Sequence, residues 1–522
     1  MKQYNYKKGL WWLIFISTLL RAFTAAFIEL GNDEVYYRLY ALYPDWSHFD
    51  HPLMVGAVIQ LFSLNLHFHS ELFLRMASVI FGAADIWLMF KLGKTIKDER
   101  TGFLAALLFT ASVYASVIVG VFILPDTPQL FFWLIGLLIM VKTLPANPES
   151  QGVEKRMLWL GFVIGLAILS KYTSVFLWGG AGLYILFVNR AWLKSPKLYI
   201  ALLITALTIL PIVIWNFQND FISFTFHTER VDMFGHSIRW DYFLTELAGE
   251  IAYNNPVNFF LIWIAVFALF FNKLKLNKKV LAVILLSGLP LIVTFLVFAL
   301  FRSTLPHWTA PGYTTLIVLA AVWLSERFNR RVVPVIVKVS VTIMVLVMVL
   351  GFAEVKCGFI KPENSSQYEN LGEDDITLDM YGYNQIGKAF RSVVMHDRIT
   401  GEMPEDAVMF GINWFPLANL DYYGATALNM KVYAIGGLDR IHKYAWINRI
   451  NGGFYKGMSG YYITVSRNFK APEPYFKDYF AIIEPADTIQ VVRCGDTVER
   501  AFVYRLKNMT RIPKDVLESI EK

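Results

Sequence analysis

The sequence is poor in charge. Of its 522 residues, 17% are Asp, Glu, Lys or Arg, where a soluble domain carries about 25%. Cysteine is scarcer still: Cys357 and Cys494 are the whole complement. That excludes a disulfide-rich scaffold and any cysteine-based metal spacing, and leaves one bond between the two compatible with the sequence. No Walker-type phosphate loop and no HExxH signature occur, so an ATP-driven pump and a standard zinc peptidase are not indicated. There is no internal repeat or low-complexity tract. The net charge of +7 does not point to nucleic acid, because the basic residues gather at the ends of apolar runs.

What fills the chain instead is apolar sequence, 56% of all residues. A helix needs about 20 such residues to cross a bilayer. Candidate spans lie at 10–28, 72–92, 101–121, 127–144, 157–170, 172–189, 198–215, 256–272, 279–300, 311–326 and 333–353, about eleven in all. The run 52–66 is too short to span and reads as an interfacial or re-entrant helix. The first run follows Lys7 and Lys8 and is long for a signal peptide, so it reads as a retained helix.

Lys91, Lys94, Lys97 and Arg100, then Lys155 and Arg156, then Arg190, Lys194 and Lys197 fall in alternate loops. The positive-inside rule therefore puts the N-terminus in the cytoplasm. An odd number of spans sends the tail outside. The expected organisation is a mainly α, polytopic membrane domain, 1–353, with outer loops 29–71 and 216–255, followed by an extracytoplasmic α/β domain, 354–522. In the tail, alternating runs at 407–410 and 461–465 predict strands, and periodicity around 383–394 predicts a helix.

The densest chemistry is in the first outer loop: Asp33-Glu34, Tyr36-Tyr37, then Asp50-His51-Pro52. Two readings stand there. Asp33 can cap a helix with Glu34 in its first turn. Alternatively, carboxylates among flat aromatic rings suit a sugar, with one carboxylate as general base.

These residues resemble the first outer loop of the GT-C glycosyltransferases that include protein O-mannosyltransferases and the lipid A aminoarabinose transferase, a family-39-like group with bacterial members. Leu124-Pro125-Asp126-Thr127-Pro128, Ser170-Lys171-Tyr172-Thr173, Trp215-Asn216 with Phe226-His227 and Arg230, and Pro306-His307-Trp308 agree in order and sidedness. The resemblance covers about residues 10–330 and implies a multi-pass inner-membrane enzyme. Such an enzyme moves a hexose or pentose from a polyprenyl-phosphate carrier to an extracytoplasmic acceptor.

It further implies Asp33 as general base, with Glu34 positioning it or the acceptor. Lys171, Arg230, Arg302 and Tyr172 would hold the donor phosphate. Asp126, Tyr36, Tyr37, His51 and Trp308 would face sugar or acceptor. Blander readings stand beside these: Lys171 snorkelling at a helix end, Asp126 opening a helix, Trp308 in an aromatic belt. A phosphate leaving group requires no metal cofactor. Asp50 with His227 is the alternative, a divalent site. His51 stands where aminoarabinose transferases carry lysine, which bears on both phosphate contact and metal. A polytopic transporter is the competing function, but transporters place their charges near mid-membrane, and here the acidic residues are in outer loops.

Overall fold

The structure, a computed structural model, describes residues 4–231, 237–271, 274–329, 331–360 and 369–519. By contact the chain divides into two units, Met1–Ala25 with Asp45–Met348, and Ala26–Pro44 with Val349–Lys522. The segment 26–44, expected to open an outer loop of the membrane domain, therefore groups with the C-terminal residues. The division falls at Met348, inside the helix Val335–Cys357, where the sequence places it at 353.

The first unit is helical. Four described helices are long and apolar enough to cross a membrane: Tyr6–Phe27, Met76–Ile96, Lys278–Ala299 and Val335–Cys357. Two bent pairs raise this to six if each is one span: Pro196–Thr208 with Leu210–Gln218, at 44°, and Trp240–Asn254 with Pro256–Phe270, at 101°. Length and composition thus do not reach the expected count of about eleven. Two runs explain much of the shortfall. The run 101–121 is divided into the helix Glu99–Thr110 and a π-helical turn, Tyr114–Ile118. The stretch 157–189 breaks at Lys171 into Val153–Ser170 and Val175–Phe187. The run expected to lie in the interface forms the short helix Met54–Phe62.

The core of this unit is aliphatic and aromatic, with Trp133, Leu137, Tyr184, Leu316 and Leu319 fully buried. It also contains charge. Arg21 is 1% exposed and donates to the carbonyl of Ala115 at 3.1 Å. Asp85, equally buried, is its electrostatic counterpart.

In the second unit, five strands form one mixed sheet: β1 Val408–Gly411, β2 Val432–Ala434, β3 Gly460–Val465, β4 Phe480–Arg493 and β5 Asp496–Met509. Their order is β2-β1-β3-β5-β4. β1 pairs parallel with β2 and β3, whereas β5 runs antiparallel to β3 and β4. The expected α/β tail is thus present, with β1, β3 and the helix Tyr383–Thr400 where the periodicity predicts them. Phe410, Tyr462, Phe476, Phe480 and Leu506 make its core. Cys494, in the β4–β5 turn, lies beside Cys357, its Sγ 3.8 Å from the carbonyl of Lys356; both thiols are free.

Candidate functional site

Two helix ends in the first unit create the site. The helix Asp126–Thr143 opens on Leu124-Pro125-Asp126-Thr127-Pro128. Pro128 falls in the first turn, where a missing N–H costs no intrahelical bond. Asp126 is at the first position, where the helix dipole favours a carboxylate. The helix Val153–Ser170 ends as Lys171 turns extended, at φ −157° and ψ 134°, ahead of the 3-10 turn Tyr172–Ser174.

These two ends meet. Lys171 Nζ donates to both carboxylate oxygens of Asp126, at 3.0 and 2.8 Å. Both side chains are buried, 7% and 3% exposed. Tyr114, presented by the π-helical turn, donates its hydroxyl to Asp126 Oδ1 at 3.2 Å. Lys171 therefore does not snorkel. It turns inward to a carboxylate, and Asp126 is a partner in a buried ion pair as well as a helix opener.

Around the pair stands a shell of histidines and one arginine. His227 Nε2 is 2.6 Å from the backbone carbonyl of Asp50, and its ring centroid is 5.9 Å from that of His51. Tyr172 meets His227 edge-on at 5.1 Å. The Arg230 guanidinium lies over the rings of Trp308 and Phe226, at 5.2 and 5.3 Å. His307 is carried by the 3-10 turn Pro306–Trp308.

Burial pushes His307 down to about 4; Lys171 and Arg230 act in the same sense, and Asp126 opposes them. Burial, then His227, Lys171, Arg230 and His307, hold His51 well below the usual imidazole range. Burial also lowers His227, against the Asp50 carbonyl and carboxylate. These mutual influences put Asp126, Lys171, Arg230 and three histidines in one electrostatic neighbourhood. The imidazoles are uncharged at neutral pH, so the standing cations are Lys171 and Arg230. Asp126 takes two of the three ammonium N–H groups of Lys171, so an anion here would be met by Arg230, by the third ammonium N–H and by neutral imidazole N–H groups.

Several expected residues lie otherwise. Arg302 donates to the carbonyl of Glu229 at 3.3 Å. Trp308 packs edge-on against Phe295 at 5.4 Å beneath Arg230, so it belongs to the site wall and not to a belt. His227 meets Asp50 through the backbone carbonyl of Asp50. Among the described residues no group of three His, Cys, Asp or Glu is arranged to hold a metal ion.

Asp33 and Glu34 lie in the second unit, in the first turn of the helix Asn32–Leu42. Glu34, 2% exposed, caps that helix: its Oε2 accepts from the Gly31 backbone N–H at 2.8 Å. The capping expected of Asp33 thus falls to Glu34, because the third helical position can reach back to the leading N–H. Asp33 itself is exposed. Tyr36 and Tyr37 are 1% and 6% exposed, and Tyr36 packs on Trp414 at 5.0 Å and His442 at 5.9 Å. They are core rings of this unit. Sequence reasoning assigned no role to Tyr114 or His307; His307 sat inside a quoted motif, whereas nothing local marked Tyr114.

A family model described as dolichyl-phosphate-mannose-protein mannosyltransferase matches residues 50–215. Two crystal structures of ArnT from Cupriavidus metallidurans superpose on the chain with 14% and 15% identity. The apo state gives a TM-score of 0.59 over 96% of this chain, and the state bound to undecaprenyl phosphate 0.62 over 95%, each covering 98% of ArnT. The chain has the GT-C fold of ArnT. Lipid A galacturonosyltransferase RgtD of Rhizobium johnstonii is 25% identical over 296 residues, 56% of this chain, and the chain spans 60% of that relative's length. The family match contains Asp50, His51, Asp126, Lys171 and Tyr172, residues that also carried the resemblance read from motifs.

Proposed function

We propose that this protein transfers a sugar, hexose or pentose, from a polyprenyl-phosphate carrier to an extracytoplasmic acceptor. The observation that carries the proposal is the buried Lys171–Asp126 pair, set among neutral histidines with Arg230 at its rim. ArnT, the GT-C protein this chain superposes on, has been crystallised with undecaprenyl phosphate, which is the anion such a site would take. Lys171 and Arg230 would neutralise the phosphate as it leaves. Asp33 is the proposed general base: the acceptor hydroxyl gives it a proton, its oxygen bonds to the anomeric carbon, and the carbon–phosphate oxygen bond breaks. Glu34 would fix the helix turn that carries Asp33.

The protein would sit as a multi-pass protein in the inner membrane, with a cytoplasmic N-terminus, and the reaction would proceed without a metal. A transporter reading is not favoured, because the polar cluster gathers at helix ends and connecting turns.

The test uses the purified full chain and undecaprenyl-phosphate-linked sugars, reading release of undecaprenyl phosphate. Asp33→Asn should cut turnover by about 100-fold. Equal activity would remove Asp33 as base. Movement of the lipid-linked sugar across proteoliposomes without its cleavage would overturn the transferase reading.

A further inference from the structure

The helix Trp240–Asn254 brings two carboxylates, one turn apart, to a single face. Glu246 is 1% exposed and Glu250 is 0% exposed. Each uses one oxygen locally: Glu246 Oε2 accepts from Thr304 Oγ1 at 2.8 Å, and Glu250 Oε2 accepts from the Tyr313 hydroxyl at 2.8 Å. The other oxygen of each, Oε1, is fully buried and has no hydrogen-bond partner among the described residues. An unmatched buried carboxylate oxygen is expensive, and side by side the two are more so. A solvated helix face would show neither the burial nor the orphaned oxygens.

The pair adjoins the anion site. Gly249, between the two glutamates, lies so close under the turn carrying His307 that a Cβ there would fall 2.1 Å from Pro306 Cγ. Tyr253, on the same helix, stacks with His307 at 6.4 Å and 30°. The Pro306–Trp308 turn thus has the glutamate helix on one side and the Lys171–Arg230 cations within electrostatic reach of its histidine. A lipid-phosphate sugar has matching polarity: an anionic phosphate joined to a ring of hydrogen-bond donors.

We infer that Glu246 and Glu250 form the sugar-recognising end of the donor site, and that the donor sugar presents hydroxyl or amino hydrogen-bond donors and is not a uronic acid. This rests on the donor reading above. A uronate carboxylate has no hydrogen to give to the two orphaned carboxyl oxygens, whereas the hydroxyl or amino groups of a neutral or amino sugar supply the donors they lack.

The experiment measures binding to the full chain in detergent with three probes: undecaprenyl phosphate alone, its mannose-linked form and its galacturonate-linked form. Wild type should prefer the mannose-linked lipid to the galacturonate-linked one by at least about tenfold. Glu246→Gln with Glu250→Gln should bring that ratio to within about twofold while affinity for undecaprenyl phosphate alone holds. Equal or tighter wild-type binding of the galacturonate-linked lipid would overturn the inference. So would an unchanged ratio in the double variant. A double variant that loses undecaprenyl phosphate itself would overturn it too, since the pair would then serve the fold; Glu250→Asp, which keeps the carboxylate but withdraws it, should still lower the ratio if recognition is its role. Failure of wild type to bind undecaprenyl phosphate at all would instead strike the donor reading beneath it.

Discussion

The two units each bury a carboxylate with a cation and a tyrosine, and they do so to different ends. In the sheet unit, Asp397 is wholly buried, takes Arg505 Nε and Nη2 at 2.7 Å each, and accepts the Tyr461 hydroxyl at 3.0 Å. Glu484 closes the other side of Arg505, 3.7 Å away. Glu484 in turn meets Lys507 at 2.7 Å, so each charge there has an opposite partner, and the guanidinium fork matches its carboxylate. In the helical unit, Asp126 takes Lys171 and Tyr114 in the same pattern. Around that pair, however, are Arg230 and three histidines that burial keeps neutral. The residue types are nearly the same in both places, and the surroundings separate a structural clamp from a site suited to an anion.

Breaking the clamp should have the largest effect. Arg505→Met leaves Asp397 charged and buried, and should cost about 4 kcal/mol of stability, read as a fall in melting temperature. Below that temperature, affinity for undecaprenyl phosphate should stay within about twofold of wild type. A selective loss of lipid binding would blur the contrast between the two pairs. Lys171→Met should do the converse and weaken undecaprenyl phosphate binding by about 100-fold. Lys171→Arg should restore only part of it, because a fork does not reproduce a compact ammonium. Removing one hydroxyl from each pair sharpens the comparison further. Tyr461→Phe should cost about 1 kcal/mol of stability and nothing in binding; Tyr114→Phe should cost a similar amount and weaken lipid binding severalfold, through a loosened Asp126.

The sequence reveals the structural half of this contrast less well than the functional half. Lys171 stands out because a lysine interrupts an apolar stretch, and Asp126 because prolines flank it. The strands at 408–411 and 460–465 and the helix from Tyr383 follow from periodicity alone. The long hairpin of β4 and β5 does not, since its faces alternate only in part. The pairing of Asp397 with Arg505 is decided by residues far apart in the chain, and each member alone looks like any charge in a helix or strand. Glu246 and Glu250 look like a solvated face for the same reason. Tyr36 and Tyr37 misled in the opposite direction: aromatic density beside carboxylates suggests a sugar surface, but here it makes a core.

The smallest effect separates the units by pH. The folded value of His307, about 4, lies below its ordinary 6.5, because burial disfavours the imidazolium. A depressed histidine contributes stability that is present above 6.5 and is lost as pH falls toward 4. His51 and His227 are lowered too and act in the same direction. Asp397 behaves differently: burial raises it, but the hydrogen bonds from Arg505 and Tyr461 and the charge of Arg505 outweigh that, so its folded value lies below 3.8. Its contribution is present above 3.8 and fades only in stronger acid. Hydrogen exchange followed by mass spectrometry between pH 6.5 and 4.5 should therefore show lost protection around His307, after correction for the intrinsic rate, and steady protection around Asp397. His307→Asn should remove part of the acid loss in the helical unit. Equal acid sensitivity in both units would mean that the histidine shell is not held neutral, and that the anion site carries more positive charge than Lys171 and Arg230 supply.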